Sequence, residues 1–218
     1  MKPTVWVLDL YAADGTTPNR SGVELVRRSG GRAVCYVSAG SWEQWRPDAG
    51  SFPKEVRGKV LGGWPGERWL DIRALGTLRP LLVERAKKCR DAGFRAIDWD
   101  NVDGYTNNSG FALDGGDQIA FATMLADIAH DLDLAVGLKN NLEQVPELVS
   151  LFDFAVNEQC AQFNECQLLD PFVRNAKVVV QIEYSTPTRK FCSEAIHARR
   201  TAMVMGQDLH THPWLPCR

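Results

Sequence analysis

Gly93-Phe-Arg-Ala-Ile-Asp-Trp-Asp-Asn-Val-Asp-Gly-Tyr105 is the stretch from which the rest of the chain can be read. A glycine closes a helix, a short apolar strand follows, and the strand ends in acids. Asp98 and Asp100 are two residues apart, so on a strand they share a face. Alternating α/β folds place their chemistry at the C-terminal ends of strands. Asp98 and Asp100 therefore read as site residues. Asp103, beside Gly104 in a turn, reads as a structural acid.

The same pattern repeats in both directions along the chain. Strands are expected over residues 5–10, 33–37, 68–73, 96–101, 134–140, 152–158, 178–184 and 201–205. The first of them reads as a buried strand. Helices are expected over 22–29, with Ser21 as cap, and over 75–91, 117–131, 142–150, 166–175 and 188–198. The helix over 75–91 is the clearest, with Leu78, Leu81, Leu82, Arg85, Ala86 and Cys89 at helical spacing. Polar residues close nearly every strand. Eight alternating units of this kind point to the α/β class, a compact (β/α)8 TIM barrel forming one domain over 1–218. Neither a Gly-x-Gly-x-x-Gly nor a Gly-x-x-x-x-Gly-Lys-Ser/Thr motif occurs, which removes the dinucleotide and P-loop readings.

Composition narrows the class further. The chain has 218 residues, 44% hydrophobic and 24% charged, with a net charge of −2. That is an ordinary globular balance, with no basic field for nucleic acid. No apolar run is long enough to span a membrane, and the first residues do not read as a signal peptide. The six cysteines nevertheless suit an exported, secreted protein. Cys160 with Cys166, and Cys192 with Cys217, are the expected pairs. For Cys35 and Cys89, a bridge and two free buried thiols stand as even alternatives. His210 and His212 lie in the tail without partner ligands, so no metal site is expected.

Barrel geometry turns the acids into chemistry. The strands over 96–101 and 152–158 would be second neighbours, their axes about 9–10 Å apart. Asp100 and Glu158 at their ends would bring carboxyl groups to about 5–6 Å. A retaining glycosidase needs about 5–5.5 Å and an inverting one about 6.5–9.5 Å. Asn101 and Lys139 near Asp100 favour an ionised nucleophile. Phe152, Phe154 and Val156 beside Glu158 favour a neutral acid/base. An ion pair between Glu158 and Lys139 is the structural alternative, and Lys139 as a Schiff-base lysine a third reading. Asp9, Asp71, Asp98, Asp100, Glu158 and Glu183 would form an acidic groove. Tyr36, Ser38, Asn101, Tyr105, Asn140 and Tyr184 complete the expected substrate contacts. Trp42, Trp45, Trp64, Trp69 and Trp99 fall in or beside strand-end loops, where indoles stack on sugars. Trp99 alternates with the two acids and is expected to pack against a helix. The chemistry needs no metal or organic cofactor.

Five blocks carry a resemblance. They are Cys35-Tyr-Val-Ser-Ala-Gly-Ser-Trp-Glu-Gln-Trp-Arg-Pro-Asp48, Trp69-Leu-Asp-Ile-Arg73, Asp98-Trp-Asp-Asn-Val-Asp-Gly-Tyr105, Val136-Gly-Leu-Lys-Asn140 and Phe152-Asp-Phe-Ala-Val-Asn-Glu-Gln-Cys160, with Pro216-Cys-Arg218 at the tail. In this order they resemble glycoside hydrolase family 114, the endo-α-1,4-polygalactosaminidases. The resemblance implies a (β/α)8 barrel that cuts α-1,4-linked galactosamine polymers in mid-chain. Family substrates are cationic biofilm polysaccharides such as galactosaminogalactan and Pel, usually met outside the cell. The family's acid pair falls on Asp100 and Glu158. The partner implied is the polysaccharide, bound by a monomer, and a non-catalytic binding barrel is the alternative. Three departures stand out. The chain starts after the family's Trp-Gln-containing strand, so an N-terminal strand is expected to be missing. Trp99 stands where proline is usual. Met205-Gly206 stands where the last strand often ends in lysine.

Overall fold

A computed structural model describes residues 3–207 and 213–218, so His210 and His212 lie outside the described residues. The chain forms two compact units, Met1–Val136 and Gly137–Arg218.

The first unit contains β1 (Val5–Asp9), α1 (Arg20–Arg28), β2 (Arg32–Ser38), β3 (Ser41–Glu43), β4 (Arg57–Val60), β5 (Glu67–Leu70), α2 (Leu75–Ala92), β6 (Ala96–Asp100) and α3 (Gly115–His130). β1 and β6 each pair in parallel with β2, with Asp9 opposite Tyr36 and Ser38 opposite Asp100. Parallel pairing puts the C-terminal ends of all three strands on one edge. β1 is less buried than its sequence implied, because Val5 and Val7 are exposed.

The expected third barrel strand, over 68–73, is not one. β2 pairs directly with β6 and leaves no room between them. β5 instead runs antiparallel between β3 and β4 in a separate three-stranded sheet. Alternation of apolar and polar residues marks a strand but does not choose its partner. Gly40 makes this departure possible. A Cβ there would stand 1.7 Å from the Asn101 carbonyl oxygen. The Gly40 and Ala39 N–H groups donate to the Asp100 carbonyl.

The helices end where their local chemistry directs. Asn19, not Ser21, caps α1, accepting from the Gly22 N–H at 3.1 Å. Gly93, at φ +98, closes α2. Asp114 and Asp117 form a capping box at the start of α3. Leu78, Leu82, Ala86 and Cys89 bury one stripe of α2. From that stripe Cys89 bonds to Cys35 of β2, with Cα atoms 5.9 Å apart, which decides the open alternative in favour of a bridge.

β7 (Ala135–Lys139) leads into the second unit, followed by α4 (Val145–Leu148), β8 (Phe154–Glu158), α5 (Cys160–Phe163), α6 (Asp170–Arg174), β9 (Val178–Glu183), α7 (Cys192–His197), β10 (Thr201–Met205) and β11 (Trp214–Pro216). β7 through β10 pair in parallel, each with the next. β11, read from sequence as tail, adds an antiparallel strand against β10. The helices here last one or two turns, shorter than expected, and several begin in 3-10 turns. Gly137 gives the Phe154 ring its space, since a Cβ would meet that ring at 2.3 Å. Cys160–Cys166 and Cys192–Cys217 are bonded as expected. The second bridge packs on a cluster of Phe191, Ala195, Ala202 and Val204.

Candidate active site

In the first unit the site grows from the shared C-terminal edge of β2 and β6. The Tyr36 hydroxyl donates to Asp100 Oδ2 at 2.6 Å. Burial drives the Tyr36 phenol far above its ordinary value, and the Asp100 charge adds to the effect. Tyr36 therefore stays a proton donor, and a donated O–H stabilises the ionised form of Asp100. The next residue, Asn101, adopts the left-handed conformation at φ +59. Its amide nitrogen donates to Ser38 Oγ at 2.8 Å. Ser38 and Ser41 share a hydroxyl bond of 2.7 Å, and Ser41 donates to Glu67 Oε2 at 2.7 Å. This buried relay clamps the turn that carries Asp100. Burial raises the Glu67 carboxyl above its ordinary value, and the nearby Glu43 and Asp100 charges act in the same direction. Asp98 is 2% exposed and Trp99 fully buried.

An ion network supports the same edge. Arg46 forks onto Asp9 with two bonds of 2.7 Å and reaches Glu43 Oε1 at 2.7 Å. Arg85 forks onto Asp48 at 2.8 Å and donates to the Ser38 carbonyl. Burial raises the Glu43 carboxyl, and Arg46 pulls against it. Burial also pushes Asp48 upward, but the Arg85 bonds and charge outweigh it and leave Asp48 low. These arginines were not among the expected site residues. The one available signal was Arg85, a charge within the apolar stripe of α2.

In the second unit, Glu158 ends β8. Lys139 Nζ lies 3.1 Å from Glu158 Oε1. The ion pair weighed as an alternative is thus present. A carboxylate at that distance favours the charged amine over the neutral one that Schiff-base chemistry requires. Asn140, at φ +49, accepts from the Glu158 N–H at 2.9 Å and from the Asn157 amide at 3.2 Å. Strand-end asparagines therefore fix both backbones, Asn101 after Asp100 and Asn140 beside Glu158.

The structure places the other expected contacts as follows. Ser38 and Glu183 have no exposed surface. Glu183 accepts from the Ala161 N–H at 2.8 Å and the Gln181 amide at 3.1 Å. It lies beside Cys160 and Cys166, whose sulfurs are committed to their bridge and offer no thiolate to a metal. Asp9 is tied to Arg46 and Asp71 to Arg73, the latter at 2.8 Å. Of the acids expected to form an acidic groove, Asp9, Asp71 and Glu158 are each paired with a basic side chain. Tyr105 and Tyr184 are half-buried, Tyr105 on a 3-10 turn and Tyr184 just after β9. Of the five tryptophans, Trp69 and Trp99 are buried, Trp42 is half-buried under Arg57, and Trp45 and Trp64 are exposed.

The family model for glycoside hydrolase family GH114 matches residues 1–214. The chain belongs to family GH114. It is a glycoside hydrolase, with an α/β fold of the TIM-barrel-like kind. The solved structure of Aspergillus fumigatus Ega3 in complex with galactosamine is 34% identical, with a TM-score of 0.87 over 95% of this chain and 85% of that one. The glycoside hydrolase domain of PelA from Pseudomonas aeruginosa is 16% identical, with a TM-score of 0.68 over 97% and 96% of the two chains. At that identity the likeness speaks for the fold alone. No curated protein sequence matches the chain. Among the described residues, no helix is long and apolar enough to cross a membrane.

Proposed function

We propose that this GH114 chain is a secreted, single-domain, monomeric endo-hydrolase of α-1,4-linked galactosamine polymers of the galactosaminogalactan or Pel kind. The observation that carries the mechanism is the Tyr36–Asp100 hydrogen bond, since a donated O–H favours the ionised form of a strand-end carboxylate. The substrate class rests on family membership and on the 34% likeness to a protein solved with galactosamine. Three disulfides fit a protein that works in an oxidising space.

The reaction proceeds with retention. The Asp100 carboxylate attacks the anomeric carbon while Glu158, which must enter the cycle carrying a proton in place of its Lys139 ion pair, gives that proton to the departing glycosidic oxygen. Glu158, now a base, takes a proton from water, and that water releases the sugar from Asp100. Lys139 positions Glu158, and Asn140 holds its backbone. Exposed Trp45 and Trp64 offer indole faces to the apolar sides of sugar rings. Tyr105 and Tyr184 line the path of the polymer. The reaction uses no cofactor.

The test is digestion of soluble oligogalactosamine, with products read by mass spectrometry. Asp100→Asn and Glu158→Gln should each lower hydrolysis by about 10²–10⁴-fold with unchanged folding. Full activity in either variant rejects the assignment. Intact oligomers after incubation with the parent protein favour the binding-barrel alternative.

A further inference from the structure

The opposite edge of the first unit's parallel strands has a different chemistry. Arg32 opens β2, and Arg95 directly precedes β6. Arg20 and Arg27 reach the same place from α1. Together they line a groove of about 820 Å³, floored by small residues such as Ala33 and Gly93. Arg27 is neutralised by a two-bond fork to Glu24 at 2.8 Å. Among the described residues, the side chains of Arg20, Arg32 and Arg95 have no hydrogen bond or ion pair. All three are exposed. In a chain of net charge −2, three uncompensated guanidiniums in one groove are a concentrated positive field.

We propose that this groove binds a segment of acidic polysaccharide. A guanidinium fork matches the two oxygens of a carboxylate or sulfate. The groove has the volume of a small-ligand site. Three separate cations suit a repeating charge better than a single anion. No aromatic ring lines the groove, so nucleobases find no stacking platform there, which argues against single-stranded nucleic acid. β2 spans seven residues, so the groove lies about 20 Å from the Ser38 edge. An acidic chain bound there leaves the edge that carries Asp100 open. Acidic and cationic glycans associate through their charge, so such a contact would hold the enzyme where its proposed substrate collects. The binding itself does not depend on that substrate.

The experiment is calorimetric titration of the full chain with a hexamer of galacturonic acid at low and physiological salt. Binding that weakens as salt rises, and that falls about tenfold or more in Arg32→Ala/Arg95→Ala, supports the proposal. Arg32→Lys/Arg95→Lys should keep part of the affinity. The alanine variant should melt with the parent and hydrolyse oligogalactosamine at the parent rate. No binding by the parent at millimolar hexamer overturns the proposal, as does undiminished binding by the alanine variant. Equal affinity for single-stranded DNA of the same charge also overturns it.

Discussion

Tyr36→Phe removes one oxygen atom and keeps the ring. The lost contact is a short, charge-assisted bond of 2.6 Å from a largely buried phenol to Asp100. A hydrogen bond to a charged group contributes about 1.5–3 kcal/mol. If that contribution orients and ionises the nucleophile, kcat/KM falls about ten- to a hundredfold, at about 1.4 kcal/mol per decade. The donor also stabilises the carboxylate over the acid. Its loss should move the acid limb of the kcat/KM profile upward by about one to two pH units. The assay is steady-state hydrolysis of oligogalactosamine across pH, with thermal melting as the folding control. A purely structural tyrosine would lower stability and leave the acid limb where it was. A variant within about twofold of the parent, with the same acid limb, would refute the argument that Tyr36 keeps Asp100 ionised.

Gly40→Ala would drive a methyl group into the Asn101 carbonyl, 1.7 Å away. Overpacking against backbone should cost about 3 kcal/mol or more in urea unfolding and displace Asp100. Replacing Cys35 and Cys89 with alanine opens a link across a sequence separation of 54. The chain-entropy model gives a loss of about 4 kcal/mol, measurable by the same unfolding under oxidising conditions. Burial holds Glu67 above its ordinary value of 4.5. Its stabilising share is therefore complete at low pH and is lost as pH rises through the raised value. Glu67→Gln removes that loss, so its melting temperature relative to the parent should climb with pH above 4.5, and a constant difference would contradict the assignment.

Several elements were legible in advance because their causes are local. α2 follows from its apolar spacing and its closing Gly93. β6 follows from a short apolar run ending in acids. Motif blocks named the family, because a family signature depends on residue type and order. The segment over 68–73 was misplaced for a non-local reason. Its pattern fits a strand of either sheet, and only the β2–β6 pairing excludes it from the parallel one. The short helices of the second unit were extended too far, because propensity does not set where a connection must turn.

By itself, the sequence determined the longer helices, the parallel strands and membership of GH114, since each depends on neighbours within a few residues or on ordered motifs. Tertiary structure decided which charges are spent. Ion pairing depends on distances between segments far apart in sequence, so no local pattern shows that Arg46 neutralises Asp9 or that Arg85 binds Asp48. The same dependence joined Cys35 to Cys89, buried Ser38 and Glu183, and left three arginines uncompensated around one groove.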